Sequence, residues 1–234
     1  MLKKIIHDSR FTLPPLHLNL EGDVLVFDKP YKCTSFDLVS KVKKMIRREY
    51  ETKIKVGHAG TLDPLATGVL IICIGSFTKK IDSYQALEKE YTGTLLLGAT
   101  TPSFDLEKPV DETFPYLHIT EEMVHLATKN FLGEIQQIPP QFSAIRIDGK
   151  RAFDFARKGE EVDIKSRTIT IREFEITRLS LPEIDFRIVC SKGTYIRSIA
   201  RDFGYALKSG AHLTALRRTR IGEFRVEDAI KVIE

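Results

Sequence analysis

The sequence predicts an α+β protein: a central mixed, mostly antiparallel sheet flanked by helices and loops. Segments with strand-like patterning outnumber the helices available to cross between them, which disfavours an all-parallel sheet. No linker-like stretch, internal repeat or low-complexity segment divides the 234 residues. A hydrophobic content of 42% is enough for one sizeable core, and one domain is the expectation.

The first 23 residues carry no clear period and read as an N-terminal arm, leaving 24–234 as the folded domain. "VLVFDKP" (24–30) reads as a strand ended by proline. "TSFDLVSKVKKMIRR" (34–48) reads as a helix with Thr34 or Ser35 as cap and Asp37 in its first turn. Its apolar positions Phe36, Val39, Val42 and Met45 recur at helical spacing, so its lysines should face outward. A loop over 58–68 leads into the buried-strand run "VLIICI" (69–74), and "EYTGTLLLGA" (90–99) is a further strand. "ITEEMVHLATKNFLG" (119–133) has helical periodicity, acids in its first turn and a glycine stop. "FSAIRIDG" and a short helix near 151–157 precede "TITIREFEITRL", whose period is two. "IDFRIVCSKG" (184–193) is a strand ending in a turn, and "TYIRSIARDFGYALKSG" (194–210) a helix capped by Gly210.

Composition excludes several classes. The longest wholly apolar run is far too short to span a membrane, and "MLKKIIHDSRF" has no signal-peptide core. Cys33, Cys73 and Cys190 are dispersed, without the spacing of a disulfide framework or a zinc site, which suggests a reduced, cytoplasmic protein. Charge is polarised. Residues 41–55 hold seven basic and two acidic side chains, 191–225 eight and two, and 104–125 one and six. The arginines of the second basic segment point toward nucleic acid, because guanidinium forks suit phosphates.

In "HAGTLDPLATGVL" (58–70), Pro64 restricts Asp63 to an extended backbone, while Gly60 and Gly68 allow close approach or unusual dihedrals. A carboxylate framed in this way can be a nucleophile, a general base, a metal ligand or simply a turn cap. Metal binding fits least well, because only His58 lies near. In "CSKGTYIRSIARD", Tyr195 and Arg197 stand at a strand-to-helix junction, with Arg201 one turn further. An arginine there could pair with a carboxylate that must stay ionised. Tyr91 opens a strand in "EKEYTG", and Arg217 and Arg218 in "ALRRTRIGEF" read as phosphate contacts or as a solvated cluster.

Taken in order, "VFDKP…TSFD", "GHAGTLDPLATGVL", "KEYTGTLLLG", "CSKGTYIRSIARD" and "HLTALRRTRIGEF" resemble the TruB family of tRNA pseudouridine-55 synthases, from about Val24 to Phe224. The resemblance implies the pseudouridine-synthase fold, with no cofactor and no metal, acting on the T-arm stem-loop of tRNA without an obligate protein partner. Residue by residue, it makes Asp63 the catalytic carboxylate, Arg197 its ion-pair partner and Tyr91 the tyrosine that stacks on the target base. It puts Tyr195 in the same pocket and His58 in the T-loop, where the base has been flipped out. Lys29 and Pro30 help build the pocket, and Gly60, Leu62, Arg217 and Arg218 count among the substrate-binding positions. Many family members carry a PUA-type domain after the last motif; here the sequence given ends about ten residues later, so 24–234 is expected to be the catalytic domain alone. The alternatives are a guide-RNA-dependent pseudouridylase and a non-catalytic chaperone that folds tRNA by binding the T-arm.

Overall fold

The computed structural model describes residues 11–147 and 149–233. In chain order the first elements are β1 (Gly22–Lys29), α1 (Ser35–Glu49), β2 (Val56–His58), β3 (Thr67–Gly75), α2 (Ile81–Ala86), β4 (Lys89–Leu97), β5 (Ala99–Thr100) and β6 (Glu112–Thr113). There follow α3 (Glu121–Lys129), β7 (Gly133–Gln137), β8 (Arg146–Ile147), β9 (Lys150–Arg151), α4 (Ala152–Ala156), β10 (Arg167–Ser180) and β11 (Glu183–Cys190). The last are α5 (Ile196–Ala206), β12 (Ala211–Ile221), β13 (Phe224–Arg225) and β14 (Ile230–Lys231). The fold is α+β, with mostly antiparallel strand pairing. The chain divides into two units: residues up to Tyr91 with those from Leu216 onward, and Thr92–Ala215. No helix among the described residues is long and apolar enough to cross a membrane.

In the first unit β3 is the central strand. It runs antiparallel to β1, with Gly22 opposite Gly75 and Lys29 opposite Gly68, and antiparallel to the short β2. β12 joins it in parallel through the pairs Arg217–Thr67 and Arg218–Gly68, while β14 lines β1 in parallel. Every β3 residue from Gly68 to Ile74 is buried, which explains an uninterrupted apolar run where a half-covered strand would alternate. Leu70, Ile72 and Ile74 pack with Leu25 and Phe27 of β1 and with Leu38, Val42 and Ile46 of α1. Val69, Ile71 and Cys73 form a second cluster with Ala59, Ile221 and Val226. All three cysteines are buried, and none is in a disulfide.

The helix α1 starts where its cap predicts. Thr34 Oγ1 accepts the Asp37 N–H at 3.0 Å and Asp37 Oδ2 accepts the Thr34 N–H at 2.9 Å, a reciprocal capping box. Phe36, expected on the buried face, is 66% exposed. At about 100° per residue it lies roughly 120° from the centre of the stripe formed by Leu38, Val39, Val42, Met45 and Ile46. Lys41 also departs from expectation, turning its ammonium over the Phe11 ring, 4.3 Å from the centroid. Of the expected arm, residues 1–10 lie outside the described residues. Beyond them Phe11 is buried in the α1 cluster, and Leu13, Leu16, Leu18 and Leu20 pack against it. Thr12 and Ile233 exchange backbone hydrogen bonds at 2.7 and 2.9 Å.

In the second unit β10 pairs antiparallel with β11 on one side and β7 on the other. Phe131, Phe174, Phe186 and Phe203 interlock with centroids 5.4–6.2 Å apart, tying β10 and β11 to α5. Two helix ends differ from the sequence expectation. α3 stops at Lys129, and Gly133 opens β7 instead of ending the helix. α5 stops at Ala206, where Lys208 rather than Gly210 takes the left-handed position at φ +54°. Ser209 N–H donates to Gly204 O and Lys208 N–H to Tyr205 O, both at 2.9 Å, closing a Schellman motif. Gly210 is needed for space: a Cβ there would fall 2.5 Å from the Phe114 ring.

Lys208→Gly is therefore expected to stabilise the protein by about 0.5 kcal/mol, since the left-handed penalty of an L-residue exceeds the entropy that glycine loses. Lys208→Val should destabilise it by about 1 kcal/mol or more. Urea midpoints for both variants test this; a lower midpoint for the glycine variant would contradict it.

Candidate active site

Asp63 sits on a loop between two paired strands. β2 ends at His58, Ala59 N–H donates to Ile71 O at 2.9 Å, and the chain turns away through Gly60 at φ +92° before β3 begins at Thr67. Ala66 N–H donates to Asp63 O at 3.1 Å, which makes Asp63-Pro64-Leu65-Ala66 a hydrogen-bonded turn with proline in its second position. The proline stiffens the turn that displays the carboxylate.

Three buried polar side chains hold this loop from beneath. Lys29, fully buried at the end of β1, donates from Nζ to Cys33 O at 2.6 Å, Pro30 O at 2.9 Å and Pro64 O at 3.4 Å. Ser35, the first residue of α1, accepts the Leu62 N–H at 2.9 Å, and its Oγ lies 3.1 Å from Leu62 O. Arg218, 1% exposed, spreads its guanidinium over three carbonyls: Nε to Val69 O at 2.8 Å, Nη2 to Gly60 O at 3.2 Å and Nη1 to Thr61 O at 3.3 Å. Backbone acceptors that a loop would otherwise give to water are satisfied from inside. The strand that brings Arg218 comes so close that a Cβ on Gly68, at φ +106°, would lie 2.1 Å from Arg218 O. Beside it Arg217 makes a fork to Asp28, 3.0 and 2.7 Å, and donates to Thr67 Oγ1 at 3.1 Å.

Burial moves the titration of this cradle. Lys29 falls from 10.5 to about 8, chiefly by desolvation, with Cys33 and Asp63 pulling it upward and Arg218 down. His58 is lowered by burial first and by the Arg218 charge second. Its Nδ1 is buried without a hydrogen-bond partner. Both effects favour the neutral imidazole beside the Asp63 loop.

The second unit carries Arg197 and Tyr195. Arg197, on the first turn of α5, is 4% exposed and donates to Phe142 O at 3.0 Å and Ser103 O at 3.2 Å. Asp105 Oδ2 lies 3.9 Å from Arg197 Nε, both side chains being buried. Tyr195 is the residue before α5; Gln137 accepts its N–H at 2.8 Å and donates to its carbonyl at 3.1 Å. Tyr91 is buried on β4, in the first unit.

Arg218, read as a phosphate contact or part of a solvated cluster, is instead a buried strut of the Asp63 loop, and Arg217 is engaged with Asp28. Sequence reasoning also assigned no element to "ALRRTRI", which lies in the eleven-residue β12; successive charged positions hide the period of two. Ser35, Gln137 and Asp105 were missed. Ser35 looked like a cap, Gln137 has no local signature, and Asp105 lay in an acidic stretch that counted only toward the charge polarity of the chain.

Comparison with known proteins places this α+β fold and its braced aspartate loop in a family. Residues 47–196 match the N-terminal domain of the TruB family pseudouridylate synthases, and 197–234 match the tRNA pseudouridylate synthase B C-terminal domain. The chain belongs to the TruB family. It is 60% identical over 215 residues to the tRNA pseudouridine synthase B of Flavobacterium johnsoniae, covering 91% of this chain and 94% of that one. To the protein of that name from Phocaeicola vulgatus it is 61% identical over 213 residues, 91% of each chain. Among solved structures, a Cbf5-Nop10-Gar1 complex superposes with a TM-score of 0.66 at 29% identity, over 91% of this chain and 52% of that one.

The Lys29 titration yields a test. Because its folded value of about 8 lies below the ordinary 10.5, the unfolded chain binds this proton more tightly. The stability it contributes is lowest below pH 8 and rises as the pH climbs toward 10.5. Cys33 and Cys73, both raised to about 11 by burial, act oppositely above pH 9. The difference in unfolding free energy between wild type and Lys29→Met, from urea titrations at about pH 7.5 and about pH 9, should therefore move in favour of wild type at the higher pH. An unchanged difference would mean that Lys29 titrates in its usual range.

Proposed function

We propose that this protein isomerises uridine to pseudouridine at position 55 in the T-loop of tRNA, with Asp63 as the catalytic carboxylate acting on a flipped-out base. It is a TruB-family tRNA pseudouridine synthase, an isomerase, and relatives 55–61% identical over most of the chain carry that name. The observation that carries the assignment of Asp63 is the cradle: Lys29, Ser35 and Arg218 fix the loop backbone on both sides of one carboxylate. Such preorganisation serves chemistry; a carboxylate facing a polyanion does nothing for binding alone.

The reaction breaks the N1–C1′ bond, turns the uracil and joins C5 to C1′, with the C5 proton lost and N1 regaining one. It is redox-neutral and needs no outside group. The base must leave its stack to be reached. Asp63 then either attacks C1′ or removes a sugar proton to form a glycal, and either role requires the ionised form. In this reading Arg197 holds a fixed positive charge toward that carboxylate, and Tyr91 and Tyr195 hold the uracil between its two attachments. His58 fills the vacated stack, while Gly60 and Leu62 shape the floor. Lys29 and Arg218 act on the loop itself. The enzyme works in the cytoplasm, without guide RNA, cofactor or obligate protein partner, and residues 24–234 supply the catalytic domain. A chaperone without turnover is the competing reading, and Asp63 decides between them.

Asp63→Asn should abolish pseudouridine formation on purified tRNA while leaving tRNA affinity within about tenfold, because phosphate contacts supply most of the binding. Mapping pseudouridine after incubation with protein alone checks both points; near-normal activity would remove Asp63 from its role. Arg197→Met should slow single-turnover chemistry more than Arg197→Lys, and both severely, since lysine lacks the planar fork. Rates equal to wild type would dismiss the arginine.

A further inference from the structure

Tyr195 is the N-cap residue of α5, and no side-chain hydrogen bond caps the helix there. Gln137, 1% exposed at the end of β7, holds its backbone through both faces of one amide: Oε1 accepts the Tyr195 N–H and Nε2 donates to the Tyr195 carbonyl. Directly across the ladder from Gln137 stands Arg167, the first residue of β10. Its guanidinium carbon lies over the Tyr195 ring, 4.5 Å from the centroid. Its Nε and Nη2 are buried and have no hydrogen-bond partner. Buried guanidinium nitrogens ordinarily have acceptors, whereas these two belong to a half-buried side chain. This one is given an aromatic face instead.

The surroundings keep it there. Ser191 N–H donates to Thr170 O at 2.8 Å, Thr170 N–H to Ser191 Oγ at 2.9 Å, and Thr194 Oγ1 to Ser191 O at 3.0 Å, locking the turn before Tyr195 onto β10. At its apex Gly193 has φ +82°, and a Cβ there would sit 3.5 Å from Arg167 Nη1. Backbone and ring of Tyr195 are thus fixed by a pair of cross-strand neighbours, one through hydrogen bonds and one through a cation–π contact.

We propose that Arg167 is a positioning residue for the uridine isomerisation: with Gln137 it forms a cradle that fixes the Tyr195 ring at the angle at which it meets the target base. The inference rests on the proposed place of Tyr195 in the active pocket. An arginine suits the task because its flat, delocalised cation covers a ring, whereas an ammonium offers a point charge on a flexible stem.

Two measurements test it. In protein with isotope-labelled tyrosine, Arg167→Met should shift and broaden the Tyr195 ring resonances while leaving tyrosines remote from this cluster unchanged. Unmoved Tyr195 signals would overturn the cradle, whatever the activity of the enzyme. In single-turnover assays at saturating tRNA, Arg167→Met should slow pseudouridine formation about tenfold or more, with tRNA Kd within about threefold, and Arg167→Lys should recover part of the loss. The effect of Arg167→Met should persist in Tyr195→Phe and shrink below about threefold in Tyr195→Leu. A loss confined to Kd would show that Arg167 meets RNA itself, and an undiminished loss in Tyr195→Leu would show that it acts elsewhere; either overturns the proposal. Absence of turnover in wild type would fault the functional reading alone, leaving the resonance test to judge the cradle.

Discussion

Buried cations bonded to backbone carbonyls are the constraint around which the first unit is organised. Placing an ammonium and a guanidinium out of water is costly, and the cost falls only where their donors find acceptors. Lys29 and Arg218 find them in the carbonyls of residues 30, 33, 60, 61, 64 and 69. All of those carbonyls but that of Val69, which lies in β3, belong to segments with few ladder partners, which would themselves be costly to bury unpaired. Each side resolves the other's deficit. The loop is ordered because the cations are buried, and the cations tolerate burial because the loop is there.

This mutual dependence dictates sequence features that look unrelated. Gly68 has to lack a side chain because Arg218 reaches the loop from a neighbouring strand whose backbone passes within contact of it. Arg217, adjacent on β12 and alternating to the other face, forks onto Asp28 of β1 and so ties three strands together across β3. Ser35 connects the loop to α1, so the helix cap at Thr34 also fixes how Leu62 is presented. Asp63 is partly buried at the centre of this frame, on a turn whose flexibility proline has reduced.

What the sequence reveals and conceals follows from the same physics. Apolar periodicity reports burial of apolar side chains, and accordingly β1, β3, β10, β11 and α1 are legible to within a few residues. The glycine-and-proline frame of Asp63 also identifies its loop. Illegible are polar side chains buried against backbone far along the chain. Arg218 bonds to carbonyls about 150 residues away, and nothing in "LRRTR" distinguishes it from a solvated arginine. Gln137 reaches Tyr195 across 58 residues and Arg197 reaches Ser103 across 94. Lys208 in the left-handed position shows a local version of the limit: a helix end is chosen by where α5 must stop to feed β12, even when a glycine stands two residues beyond.

The same distinction revises the charge map. Counted along the chain, 191–225 is as basic as 41–55, yet charge counted is not charge displayed. In the former segment Arg197 and Arg218 are buried, while Arg201, Arg217 and Arg220 are paired with Asp202, Asp28 and Glu88. These groups act on the fold at short range, where low dielectric makes each hydrogen bond count. On α1 the opposite holds: Lys43, Lys44 and Arg47 are exposed on the outward face. Condensed counterions are released from RNA only by cations that reach its phosphates. Within the first unit α1 therefore displays a cluster of cations that a polyanion can reach, whereas Arg217 and Arg218 of β12 contribute the stiffness of the loop that α1 also holds.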